Sequence, residues 1–307
     1  MNTTNKNYLI QFLDYLKNEK RYSNNTIIAY EKDLEDYINF LENEQFGNVD
    51  EITERIAEFY SGHMRDSYTP RTISRKASAI KSFYHYFVDI MKKIEKNPWI
   101  DVTLPKVEKK LPKFVYEDEI KSFLSSINTE NDLGKRDKLI FELLYGSGLR
   151  VSELTSMKIR DVSLEDRTII VHGKGSKDRL VPMTKESKKD FETYIVQARP
   201  VFLSRNRNMD NEFVFLNFHG SNLTTRGVRD ILNRVLEETS STLKVSPHAF
   251  RHSFATHLLN KGMDVRMVQE LLGHSNLSTT QIYTKISKEN LQETYNKAFP
   301  KGKDHHD

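Results

Sequence analysis

Four separated stretches of the chain place reactive side chains at structural punctuation. In GSGLRVSEL, Gly146 and Gly148 break one helix, Arg150 begins the next, and Glu153 stands one turn on. A helix start offers free backbone N–H groups and a positive field, so an arginine there helps to build an anion site. The alternative is an ordinary surface ion pair between Arg150 and Glu153. In HGKGSK, Lys174 occupies a hairpin tip between glycines that let the backbone approach a ligand closely, with Lys177 competing for the role. In HAFRHSFATHLL, His248 and Arg251 lie in the opening turn of a helix whose start is marked by Ser246 and Pro247. On a helical wheel both fall inside the apolar arc of Phe250, Phe254, Ala255, Leu258 and Leu259, where a permanently charged guanidinium is out of place. In LLGHSNLSTTQIYTK, Gly273 ends a helix and His274 follows it. Ser278 and Gln281 then match a capping box that opens a short helix carrying Tyr283.

Taken one at a time, each feature has an ordinary explanation: a solvated first turn, a solvent-facing lysine, a packing tyrosine. Taken together they can act on a phosphodiester. Two arginines and histidine donors can hold the non-bridging oxygens as charge builds in the transition state. A lysine on a hairpin can protonate the leaving oxygen. A tyrosine can attack phosphorus and keep the bond energy in a phosphotyrosine ester. The sequence shows no carboxylate cluster for magnesium, and this chemistry needs neither a metal nor another cofactor. A zinc site is disfavoured: His248 and His252 have i,i+4 spacing, but Ala249 stands where a zinc protease motif requires glutamate.

The elements that must position these groups fall into two parts. The first hundred residues read as four helices, with apolar positions recurring at three and four. They are Leu9, Phe12, Leu13 and Leu16; Ile27, Tyr30, Leu34, Tyr37, Ile38 and Leu41; Ile52, Ile56, Phe59 and Tyr60; and Ile73, Ala77, Ile80, Tyr84 and Phe87. Ser23 with Asn24, and Thr69 before Pro70, signal two of the starts. The fourth helix opens with Arg71, Arg75, Lys76 and Lys81, either a DNA-facing or a solvated face. Pro98, Pro105 and Pro112, with Lys106, Lys109, Lys110 and Lys113, then mark an extended basic linker, with a boundary near residue 108. Beyond it, KRDKLIFELLYGSG reads as a helix stopped by glycines, and TIIVHGKGSKDRLVPM as a β-hairpin. Helices follow at about 186–198, 224–238, 247–260 and 264–272. The expected fold is therefore mainly α, with a small β-hairpin or sheet in the C-terminal domain. The expected division is 1–105 for the helical domain, 106–113 for the linker, 114–300 for the catalytic domain and 301–307 for a frayed tail.

Composition narrows the class without choosing the function. The 307 residues are 37% hydrophobic and 29% charged and contain no cysteine, which excludes disulfides and thiolate metal sites. The N-terminal stretch is a poor signal peptide because Gln11 and Asp14 interrupt it, and no run approaches the roughly 20 apolar residues of a membrane span. The expectation is a cytoplasmic protein with no membrane partner. Residues 1–105 carry 14 Lys and Arg against 16 Asp and Glu, and the remainder 33 against 27. The net charge of +4 permits a polyanion partner without demanding one.

GLRVSEL, GKGSKDRLVP, PHAFRHSFATHLL and LLGHSNLSTTQIYT together resemble the tyrosine recombinase (phage integrase) family, most closely its Xer branch. The order Arg, Lys, His-x-x-Arg, His and Tyr over separated motifs is very specific. The resemblance implies an N-terminal core-binding domain and a tyrosine-recombinase catalytic domain embracing duplex DNA. It implies Arg150 and Arg251 as the phosphate clamp and Lys174 as the acid for the 5′-oxygen. His248 would serve acid–base transfer, His274 would bond the phosphate, and Tyr283 would be the nucleophile that leaves a 3′-phosphotyrosine. Glu153 would support the Arg150 turn. It also implies a tetramer on DNA, of one recombinase or of two different Xer recombinases, exchanging strands through a Holliday junction, with a DNA translocase as a further partner. The last helix, about 287–298, would dock on a neighbouring protomer or pack in its own domain. The function implied is site-specific recombination of the chromosome-dimer-resolving kind. A mobile-element integrase, a type IB topoisomerase-like enzyme and a non-catalytic DNA-binding regulator are the alternatives.

Overall fold

Why the first four amphipathic stretches become helices is visible at their starts. Asn2, Ser23 and Thr69 are N-caps whose side chains accept backbone N–H bonds from the residue three further on. They open α1 (Thr3–Asn18), α2 (Asn24–Asn43) and α4 (Pro70–His85); α3 is Glu54–Ser67. The structure, a computed structural model, describes residues 1–107, 115–173, 178–206, 210–239, 243, 245–273 and 295. The chain forms two compact units, with the division after residue 110.

The apolar stripes of α1–α4 meet in the core of the first unit, where Phe12, Leu34, Tyr37, Ile38, Leu41, Ile80, Tyr84 and Phe87 are buried. Trp99 closes that core, donating from its indole N–H to the Tyr37 hydroxyl at 3.3 Å. Two expected positions differ. Phe59 is 55% exposed, with its ring against Phe40 and Phe46 at the helix surface. Lys76, expected on a basic outer face, is buried instead, because i+3 and i+4 spacing puts it on the same stripe as Ile73, Ala77 and Ile80. Its ammonium is compensated by Asp36 at 2.6 Å and Asp33 at 3.5 Å, the condition for a buried charge to persist. Arg75 also pairs with Asp33, so only part of that basic run stays free for an outside partner.

The second unit is built around α6 (Asp132–Gly146), whose residues 139–146 are all buried. A helix apolar on every side must be enclosed, and α8 (Lys185–Thr193) and α11 (Pro247–Asn260) pack against it. The expected hairpin is present as β2 (Thr168–Val171) and β3 (Arg179–Pro182), antiparallel, with Thr168 opposite Pro182 and Val171 opposite Arg179. A third strand the sequence reading did not anticipate, β1 (Val162–Ser163), adds to β2 and makes the order β1-β2-β3. One further unanticipated helix is α5 (Glu117–Ser126), while the short α7 (Val151–Ser156) opens after Arg150, where the sequence places a helix start. A π-helical turn at Tyr194–Ala198 joins α8 to α9 (Arg199–Leu203). The unit continues with α10 (Thr225–Glu238), α11 and α12 (Val265–Leu272). Among the described residues no helix is long and apolar enough to cross a membrane.

Candidate active site

The turn between α6 and α7 sets the first arginine. Gly148 has φ +59°, and a Cβ there would meet the Phe254 ring at 2.4 Å. Glycine is thus required twice, by backbone conformation and by the close approach of α11. Arg150 is the N-cap of α7 but offers no capping acceptor. Glu153, at the third helical position, reaches back instead, one Oε accepting the Arg150 backbone N–H at 2.8 Å and the other accepting from the Arg150 guanidinium at 2.7 Å.

Glu153 gathers two more arginines. Arg179, the first residue of β3, donates to both carboxylate oxygens at 2.9 and 2.8 Å. Arg251, on α11, brings a guanidinium nitrogen to 3.7 Å from the same carboxylate. Burial pushes the Glu153 carboxyl up, but the bonds and charge of Arg179, with the bonds from Arg150, outweigh it and hold the group below the usual carboxylate range. Burial works the other way on Arg251. Together with the charge of Arg150, and against the pull of Glu153, it pushes the guanidinium down to about 9, so Arg251 keeps its charge at neutral pH.

The same three arginines converge on the C-terminal end of α12. Arg179 donates from Nε to the Leu271 carbonyl at 2.8 Å. Arg251 donates to the carbonyl of Leu272, and also to that of Gly148. Arg150 reaches the Gly273 carbonyl at 3.4 Å. A helix end carries unpaired carbonyls and partial negative charge, which explains why cations collect there. Gly273, in the left-handed region at φ +65°, terminates the helix. The geometry therefore holds two arginines that belong to different motifs beside the residue that precedes His274.

Of the expected site residues, the structure brings Arg150 and Arg251 together. Arg251 is buried on the inward arc of α11 with Phe250, Phe254 and Leu258. His248 departs from that arc and is exposed. The reason is local: helical side chains lean toward the N-terminus, and in the first turn nothing precedes His248 to cover it. Ala255 is half-buried and Leu259 is 40% exposed, so the arc is narrower than the wheel suggests. Lys174, Lys177, His274, Ser278, Gln281 and Tyr283 lie outside the described residues, as do Lys109, Lys110 and Lys113 of the linker. Of the expected last helix only Tyr295 is described; it is buried near Phe254, with its hydroxyl on the Gly146 carbonyl.

Arg179 was missed by the sequence reading, yet a signal existed. It shares strand parity with buried Val181, so it is a charged residue on an apolar face, the same anomaly that singled out Arg251. His257, further along the same helix, carries no signal in the sequence that sets it apart. It is buried, with Nδ1 3.0 Å from the Tyr145 hydroxyl, and burial holds its pKa below the ordinary value. At the loop end of the hairpin, His172 lies between Asp161 at 3.1 Å and Asp178 at 3.0 Å, and the bonds to those carboxylates raise its pKa.

Residues 113–290 match the phage integrase family, and residues 9–89 match the N-terminal SAM-like domain of phage integrases. The chain belongs to the phage integrase family of tyrosine recombinases. It is a site-specific recombinase, an enzyme that cuts and rejoins DNA, and DNA is therefore its substrate. Among similar proteins are tyrosine recombinase XerC of Bacillus pumilus, 42% identical over 303 residues (97% of this chain and 98% of the relative), and XerC of Bacillus subtilis, 41% identical over 297 residues (96% and 97%). The likeness to XerC thus runs through both units of this recombinase. Its fold is also that of the Tn1549 transposon integrase in complex with a circular intermediate DNA, with TM-score 0.69 and 22% identity over 88% of this chain and 92% of that one. The XerH recombinase bound to its difH substrate gives TM-score 0.64 and 22% identity over 90% and 92%.

Proposed function

We propose that this recombinase resolves chromosome dimers in the cytoplasm, acting as a tetramer on two copies of a Xer-type site. The full-length likeness to XerC proteins supports that reading over a mobile-element integrase. In the proposed reaction Tyr283 attacks the scissile phosphorus, a 3′-phosphotyrosine forms, and the 5′-oxygen leaves with a proton from Lys174. Arg150 and Arg251 hold the non-bridging oxygens, His248 takes part in proton transfer, and His274 bonds the phosphate. The free 5′-hydroxyl of a partner strand then attacks the phosphotyrosine, which restores the tyrosine and joins the exchanged strands.

The observation that carries this reading is the convergence of Arg150 and Arg251 on one carboxylate, Glu153, beside the α12 end that leads into His274. Two preorganised cations at a helix end form a site complementary to charge that builds on phosphate oxygens. The four-fold assembly takes either identical protomers or a second Xer recombinase, and a DNA translocase is the proposed partner that brings the sites together.

The test is to incubate the protein with sheared genomic DNA of its host, denature the mixture, and sequence the DNA that remains covalently attached. One chromosomal locus with two inverted half-sites around a short spacer is the expected result. Fragments from the ends of mobile elements would replace dimer resolution with integration, and absence of any covalent DNA would contradict the catalytic reading.

A further inference from the structure

The geometry points to Arg179 as the positioning residue that sets both phosphate-facing arginines, acting through Glu153 and the carbonyl end of α12. This rests on the recombinase reading of the site.

Arg179 is 5% exposed, so it does not itself meet DNA. Its guanidinium bonds along two edges. The two terminal nitrogens clasp both oxygens of Glu153, and Nε holds the Leu271 carbonyl. Those partners lie on α7 and α12, while Arg179 itself begins β3. One side chain therefore ties together three segments that carry, or lead into, the expected catalytic groups. The fork is specific to arginine: a lysine ammonium is a point charge and cannot pair both oxygens while reaching the carbonyl. Room for it is provided by Gly273, where a Cβ would meet Nη1 of Arg179 at 2.9 Å.

The consequence follows from where Glu153 is held. Its two oxygens also fix the Arg150 backbone and guanidinium and face Arg251. With Arg179 gone, the carboxylate keeps only its two bonds to Arg150 and loses the two that hold it from β3, and the α12 end loses the bond that fixes Leu271. Both arginines keep their charge but lose their set position. Misplacement of about 1 Å at a distance from the chemistry can cost roughly 100-fold in rate, while DNA affinity rests on many phosphate contacts.

The experiment compares wild type, Arg179→Lys and a control, Arg136→Lys. Arg136 is a comparably buried arginine of the same unit, bonded to Asp137 and the Leu216 carbonyl. For each, melting temperature, affinity for a duplex bearing the recovered site, and single-turnover formation of the covalent adduct are measured. A second substrate carries a 5′-bridging sulfur, whose departure needs little protonation. Arg179→Lys should form adduct about 10- to 100-fold more slowly than wild type, with affinity within about 3-fold and no recovery on the sulfur substrate. Arg136→Lys should lose melting temperature and keep its cleavage rate at a temperature where it is folded. Wild-type cleavage by folded Arg179→Lys would overturn the inference, as would recovery on the sulfur substrate, which would assign the effect to the leaving-group acid. If Arg179→Lys melts below the assay temperature, Gly273→Ala, which presses on the same guanidinium, is judged by the same criteria. Failure of wild type to form any adduct would instead overturn the recombinase reading, and this inference with it.

Discussion

Replacing Glu153 with glutamine leaves shape almost unchanged and removes the charge that three arginines share. The carboxylate accepts four hydrogen bonds, two from Arg150 and two from Arg179, and faces Arg251 at 3.7 Å. An amide presents one oxygen and one NH2. Whichever way it turns, its NH2 faces two donors, so two charge-assisted bonds are lost and Arg251 has no counter-charge on that side. Breaking a buried ion pair by neutralising one partner costs about 3–5 kcal/mol. For a unit of this size that corresponds to a fall of roughly 6–20 °C in melting temperature. The pH dependence adds a second check. Glu153 has a folded pKa below its ordinary value of 4.5, so its stabilising contribution is present above that value and is lost as pH falls through the folded pKa. The gap between wild type and Glu153→Gln, measured by urea denaturation, should be constant from pH 7 to 5 and shrink at lower pH, where the wild-type carboxyl also becomes neutral. A gap below about 1 kcal/mol at pH 7 would match an exposed ion pair and refute the reasoning. So would a gap that persists unchanged in acid.

Arg150→Ala and Arg251→Ala should each lower adduct formation by about 10²–10³-fold, with a much smaller effect on DNA affinity in a binding titration; parallel loss of both would make them docking residues. Gly148→Ala must adopt φ +59° and press on Phe254, so a destabilisation of about 2–5 kcal/mol is expected in urea melts; a change under 0.5 kcal/mol would mean that α11 yields easily there. His257 is held neutral by burial, with its folded pKa below 6.5, so protonation favours the unfolded chain. Stability should decline as pH falls below about 6.5, and His257→Gln should remove that component of the profile; an identical decline in the variant would assign it to other groups.

Much of this was legible in the sequence because the relevant signals are local. The caps at Ser23 and Thr69, the glycine stop after α6 and the Ser246–Pro247 start of α11 each act within a few residues, and each stands where expected. The pairing of charges was not legible. Lys76 reads as one more residue of a basic run although it shares the stripe of Ile73 and Ile80, and its charge can stay there only because Asp33 and Asp36 approach from α2. Arg179 reads as the end of a lysine-rich turn, because its partners Glu153 and Leu271 are distant in sequence. A helical wheel puts His248 on the inward arc because a wheel has no ends, whereas α11 begins there and leaves the side chain exposed. The short strand β1 has only two residues, too few for an alternation to show.

The most direct measurement concerns Tyr283. A nicked suicide duplex bearing the recovered site loses its short fragment on cleavage, so the reaction cannot reverse. Wild-type protein incubated with it in excess chelator should give a protein–DNA adduct stable to denaturation. Digestion and mass spectrometry should locate the nucleotide on the peptide containing Tyr283, joined through a 3′-phosphate. Tyr283→Phe should bind the same duplex and form none. An adduct that persists in Tyr283→Phe, or one mapped to another residue, would contradict the account.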